Sequence, residues 1–274
     1  MNRAFTAVLV GALVVVTGFF VLPLVALFTR VPLRELLDQL GSEVALDALR
    51  VTLETSLVAN ALIVILGTPA AYLLTRREFP GRALLTTILE LPLVLPPAVA
   101  GLALLACFGK LGLLGNELSA LGVSIPFTQT AVVLAVAFVA GPFYIRQAMV
   151  AFDAVDPVLL DAARTLGARP QRVFLRVALP LAGGGLAAGL AFSLARGFGE
   201  FGATIMFAGS LQGVTQTLSL AVYEAFDVSL PVALAISAEL VVVSAALLLA
   251  IKLLPHWTRS TSISTFAFGR SASS

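Results

Sequence analysis

A chain of 274 residues that is 59% hydrophobic and only 12% charged stands well away from soluble domains, which run at roughly 45–50% and about 25%. It is excluded from the soluble globular class, and its formal net charge of +2 comes with no expectation of a nucleic-acid partner. A single Cys and a single His exclude an intrachain disulfide, Cys–His catalysis and a histidine cluster, so no catalytic, cofactor or metal site is expected in the chain.

The composition is that of an all-α integral membrane protein. Crossing a hydrocarbon core of about 30 Å takes about 20 apolar residues, and the sparse charges mark where such runs begin and end. The first run, Ala4–Thr29, is uncharged. It is longer than a signal-peptide core of roughly 7–15 residues and lacks a small-x-small cleavage site, so it is expected to stay as an anchor. Thr55–Thr75 is the second. Leu91–Gly109, behind Glu90, holds Pro92, Pro96 and Pro97, which remove hydrogen-bond donors and are expected to bend or unwind it. Leu118–Ile145, Val177–Ala195 and Val228–Ile251 complete six spans. Gly183, Gly184, Gly185 and Gly189 give the fifth a small-residue surface for close packing, and Glu239 interrupts the sixth.

A seventh uncharged window, Phe201–Tyr223, contains Gly202, Gly209, Ser210, Gln212, Gly213, Thr215, Gln216 and Thr217. These residues break helices and carry polar groups that are costly against lipid, so the window is expected to be a short or re-entrant segment. Loop charge agrees. With six spans and both termini cytoplasmic, 12 of the 17 basic residues lie inside; a seventh crossing would erase that positive-inside bias. His256 and Trp257 suit the membrane interface. The Ser- and Thr-rich tail 258–274 is expected to be disordered.

Acids within spans are functional candidates by default. Glu54, Glu90, Glu200 and Glu239 keep an ion-coupled secondary carrier open as one reading, although no clear inverted repeat of broken helices accompanies them.

The stretch 161–180, "DAARTLGARPQRVFLRVALP", puts Arg164, Arg169, Arg172 and Arg176 between two spans. Asp156 is placed to cap a helix, Pro157 to open it, and Gly167 to stop it. A second short helix is expected from Pro170 into the fifth span. The small Ala162 and Ala163 would let another protein approach the first helix closely. Asp161-Ala162-Ala163, three residues, Gly167, nine residues, Val177, one residue and Leu179-Pro180 resembles the Glu-Ala-Ala loop of the permease subunits of ATP-binding-cassette importers. Asp161 replaces Glu, and Val177 replaces Ile. The resemblance implies a coupling helix that docks on a separate ATPase, with Asp161, Ala162, Ala163, Gly167 and Pro180 as its signature. The chain itself has no phosphate-binding G-x-x-x-x-G-K-[ST].

Two further stretches, 91–115 and 199–223, resemble the molybdate and tungstate type of these permeases, with the sulfate or thiosulfate type as the alternative. The resemblance implies one permease domain over 1–274: a first span and outer loop (1–50), a core (51–254) with the coupling loop at about 153–176, and the tail. It implies a multi-pass inner-membrane subunit in lipid, acting as a homodimer with two ATPase subunits that hold ATP and Mg, fed by an extracytoplasmic binding protein. A dianion path gains from hydroxyls, amides and a cation. Arg196, Thr204, Ser210, Gln212, Thr215 and Gln216 are the candidates to line it, and Glu200 is expected to pair with Arg196 four residues away.

Overall fold

The structure, a computed structural model, describes residues 3–253; His256, Trp257 and the tail 258–274 lie outside the described residues. All regular structure among the described residues is helical. Among the described residues five helices are long and apolar enough to cross a membrane, and one pair bent at a short break is together apolar enough for a sixth.

The helix α1 (Arg3–Thr29) stands outside the bundle and touches its last helix. A short helix, α2 (Leu33–Leu40), lies in what the sequence marked only as an outer loop. The next helix, α3 (Glu43–Arg76), runs for 34 residues, or about 51 Å. It starts twelve residues before the predicted span, because Ser42 accepts the Ala45 N–H and Glu43 sits in the first turn, where a carboxylate suits the helix dipole.

The predicted third span is broken. Helices α4 (Arg82–Glu90) and α5 (Pro97–Phe108), joined through a short 3-10 turn at Leu91–Leu93, meet at 114°. The cause is Pro97, which disfavours the helical region for Pro96; Pro96 takes φ −55° and ψ 133°. The fourth predicted span also needs correcting at its start. Residues 118–120 belong to a short helix α6 (Gly115–Ala120), and the span itself, α7 (Gln129–Asp153), begins only after Thr128 caps it.

After α7 come α8 (Pro157–Thr165) and α9 (Pro170–Val173), then a π turn at Phe174–Ala178 that runs straight into α10 (Leu179–Phe198). The window 201–223 divides into α11 (Gly202–Ala208) and α12 (Leu218–Val228), 7 and 11 residues long. Neither reaches across a hydrocarbon core of about 30 Å. The last helix is α13 (Leu230–Leu253).

The core lies along α7, which packs between α3 and α10 and buries Val132, Val136, Tyr144 and Phe152. The small face of α10 makes the close approach possible. A Cβ added at Gly185 would lie 2.4 Å from the Ala151 Cβ, and one at Gly197 would lie 2.9 Å from Val136 Cγ1. Apolar surface gives no net drive between helices in lipid, so such tight contacts supply the cohesion. On the far side, Ala48, Leu218, Ala221 and Ile236 form a second cluster joining α3, α12 and α13.

Candidate functional site

Two places gather the residues that the sequence singled out. The first is the loop between α7 and α10. Asp156 Oδ1 accepts the Val158 N–H at 2.9 Å, capping α8 as its sequence implies. At the other end Gly167 takes φ +81°, while its N–H reaches Arg164 O and that of Ala168 reaches Ala163 O. That pair of bonds is a Schellman stop, which needs a left-handed residue where only glycine is free of strain.

Leu160 and Val173, both buried, root the loop in the bundle. Asp161 and Ala162 point outward; Ala163 is half-buried against the core, so the two alanines do not share one surface. Beside them Val158 is 69% and Leu166 88% exposed. Asp161, Ala162, Ala163 and Gly167 are thus brought together. Pro180 is not among them: it sits in the first turn of α10, lining a groove of about 710 Å³ between α3 and α10.

The second place is the polar region around the end of α10. Arg196 Nη2 lies 2.7 Å from Glu200 Oε2, with side chains 26% and 1% exposed; the contact is ionic, without the alignment of a hydrogen bond. Glu200 Oε1 accepts the Ala203 N–H at 2.8 Å and so caps the start of α11. Thr204 is fully buried, and its hydroxyl has no partner among the described residues. Thr215, also buried, accepts from Leu211 N and donates to Gly209 O, which folds 209–216 into a compact turn. Gln216 donates to Glu224 at 2.6 Å, and the exposed Gln212 donates to Asp47 at 3.3 Å. Ser210 is half-buried, and its buried hydroxyl has no partner among the described residues.

Behind these residues runs a stripe that the sequence reading missed. Thr52, Thr55, Ser56 and Asn60 share the buried face of α3. Thr52 Oγ1 accepts the Leu218 N–H at 2.8 Å, fixing the start of α12, and Asn60 faces Gly197 of α10. The recurrence of Thr52, Thr55 with Ser56, and Asn60 at three- to four-residue intervals, running past Glu54 into the uncharged run, was the signal that could have found them. The acids resolve similarly. Glu54 pairs with Arg50 at 2.8 Å, and Glu90 faces Arg146 at 3.9 Å. Glu239 is 6% exposed, and its Oε2 has no partner among the described residues.

A bundle with a broken span, a buried polar segment and an exposed helix between two spans defines a membrane-embedded transport component. The chain belongs to the family described as the binding-protein-dependent transport system inner membrane component, which it matches over residues 63–259. That membership decides against the ion-coupled carrier. It is 42% identical over 235 residues to the molybdenum transport system permease protein ModB of Mycobacterium tuberculosis, covering 85% of this chain and 88% of the relative. It is 34% identical over 256 residues to the sulfate transport system permease protein CysT of Salmonella typhimurium, covering 91% and 92%. Among solved structures it resembles a bacterial alginate ABC transporter in complex with an alginate-bound periplasmic protein, with TM-score 0.70, 17% identity, and 90% and 92% of the two chains covered.

Proposed function

We propose that this protein is the membrane-spanning subunit of an ATP-driven importer for a tetrahedral oxyanion, molybdate or tungstate before sulfate. The observation that carries the reading is the helix α8: it stands between two spans with Val158, Leu166 and Ala162 exposed to solvent. Apolar side chains on so short a helix outside the spans are a surface for another protein. The occupant is an ATPase subunit, since the chain carries no phosphate-binding loop of its own. Two copies of the permease enclose one path, α8 and both termini are cytoplasmic, and an extracytoplasmic binding protein delivers the anion to the opposite side. Closure of the ATPase pair on ATP displaces both coupling helices and switches the path between inward-open and outward-open states.

In the path itself, Arg196 and Gln212 keep accessible surface and are the groups that meet the anion. Glu200, Thr204, Thr215, Gln216 and the buried hydroxyl of Ser210 are packed behind them and hold that surface in shape. The greater identity to the molybdenum permease favours molybdate over sulfate.

The test is the complex itself. Permease, ATPase and binding protein are reconstituted in vesicles and supplied with molybdate, tungstate or sulfate separately. ATP-dependent molybdate uptake is expected; uptake of sulfate alone would overturn the choice of anion. In the same vesicles Ala162→Glu should insert normally yet fail to retain the ATPase, because a buried unpaired charge at that contact costs several kcal/mol, on the order of 3–5. Normal ATPase retention by this variant would remove α8 as the docking helix.

A further inference from the structure

Both roots of the loop that carries α8 are fastened to one turn of α3. At the first root, Arg76 Nη2 donates to the carbonyls of Phe152 and Val155. Phe152 lies in the last turn of α7, and Val155 immediately precedes the Asp156 cap. A guanidinium there meets the negative end of the α7 dipole. Thr75 Oγ1 adds a contact to Met149 O at 3.4 Å.

At the second root, the Tyr72 ring lies 4.8 Å from that of Phe174, the first residue of the π turn, and 5.2 Å edge-on from Phe152. Phe152 and Phe174 are themselves 6.2 Å apart. Further into the bundle, the groove holds Thr68 and Pro69 of α3 away from Pro180 and Gly183 of α10, and Phe174 lines the same groove. The aromatic trio therefore bridges α3 to the base of α10 where their helical faces stand apart. A π turn is a rare form, a single widened turn within an α-helix, that collects at functional sites.

We propose that Tyr72 and Arg76 are positioning residues for transport. They make the end of α3 move with both roots of the coupling loop, so that a displacement of α8 reaches α3, α7 and α10 together instead of being absorbed in the π turn. Arg76 acts on the first root through the last carbonyls of α7, and Tyr72 acts on the second through Phe174. The proposal rests on the importer reading above, and two measurements keep the two failures apart.

The first measurement is molybdate moved per ATP hydrolysed by the full complex in vesicles. The second is hydrogen exchange of the amides of residues 154–160 in the same complex. Arg76→Gln should insert, retain the ATPase and hydrolyse ATP, yet move about tenfold less molybdate per ATP and exchange about tenfold faster at 154–160, the scale set by one lost charge-assisted bond. Arg76→Lys should recover part of both, since it keeps the charge and loses the planar fork. Tyr72→Leu should lower the transport ratio while raising exchange at 154–160 less than Arg76→Gln does, since it touches the first root only through the Phe152 ring. Wild-type values of both quantities in Arg76→Gln would overturn the proposal. So would equal losses of hydrolysis and uptake, the mark of a merely weakened fold. If wild-type vesicles take up neither molybdate nor sulfate, the importer reading fails; faster exchange in Arg76→Gln would still support the clamp, and unchanged exchange would still overturn it.

Discussion

Two arginine–carboxylate pairs, each closed at 2.7 Å, sit in the two candidate sites and do different work. Arg164 and Asp161 are three residues apart on α8, with side chains 55% and 66% exposed; Arg196 and Glu200 are four apart at the end of α10, at 26% and 1%. In water a pair like the first contributes about 0–1 kcal/mol. Out of water each ion costs several kcal/mol, so the second pair persists only because each charge neutralises the other. Glu200 is further committed by capping Ala203. Helical spacing brings the first pair together, and the turn that follows α10 brings the second; burial decides what their separation costs.

The largest effect that would test this contrast is Arg196→Ala. It strands Glu200 in the interior and should lower stability by about 3–5 kcal/mol, read as the thermal midpoint of the purified permease. Combining Arg196→Met with Glu200→Gln should recover most of that loss, because the charge is gone and the cap on Ala203 is kept. An undiminished loss in the double variant would show that Arg196 packs rather than pairs. Next in size is Thr52→Val, which removes the acceptor of the buried Leu218 N–H and should cost about 1–3 kcal/mol. Hydrogen exchange at Leu218 would report it directly, and slow exchange there in the variant would mean that another acceptor takes over. Smallest is Arg164→Ala, whose effect on the thermal midpoint should correspond to no more than about 0.5 kcal/mol. A larger drop would mean that α8 helps to hold the bundle together.

The exposed site was more legible in the sequence than the buried one. Asp156, Pro157 and Gly167 act on backbone groups within a few residues of themselves, so their spacing alone places both ends of α8. The buried site depends on contacts that no local pattern records. Thr52 and Leu218 are 166 residues apart, and the burial of Thr204 follows from how α11 packs on α5 and α7. The spans were legible as apolar runs, yet their ends were not. Glu43, Asp47, Arg50 and Glu54 end an apolar run but ride on the same helix, so α3 outgrows its prediction. The proline signal in the third span was sound, since Pro96 and Pro97 sit at the 114° bend. The fourth span failed in the opposite direction: the run from Leu118 is uncharged, but Gly122 and Pro126 turn the chain before α7 begins.

The π turn has a consequence for the compass bearing of the whole loop. From Pro170 to Phe198 the chain forms one rod of 29 residues. Each residue of an α-helix advances the bearing by about 100°, and a π turn takes up one residue more than an α turn does. Deleting a single residue between Phe174 and Ala178 would therefore let the rod close as plain α-helix with its two flanks in nearly the same bearing. Were the turn to close as plain α-helix with no residue removed, everything before it would swing by about 100° around the axis relative to the glycines of α10, Phe174 would face away from Tyr72, and α8 would be presented to a different quarter of the membrane surface. The π form of this one turn thus sets the direction in which α8 faces.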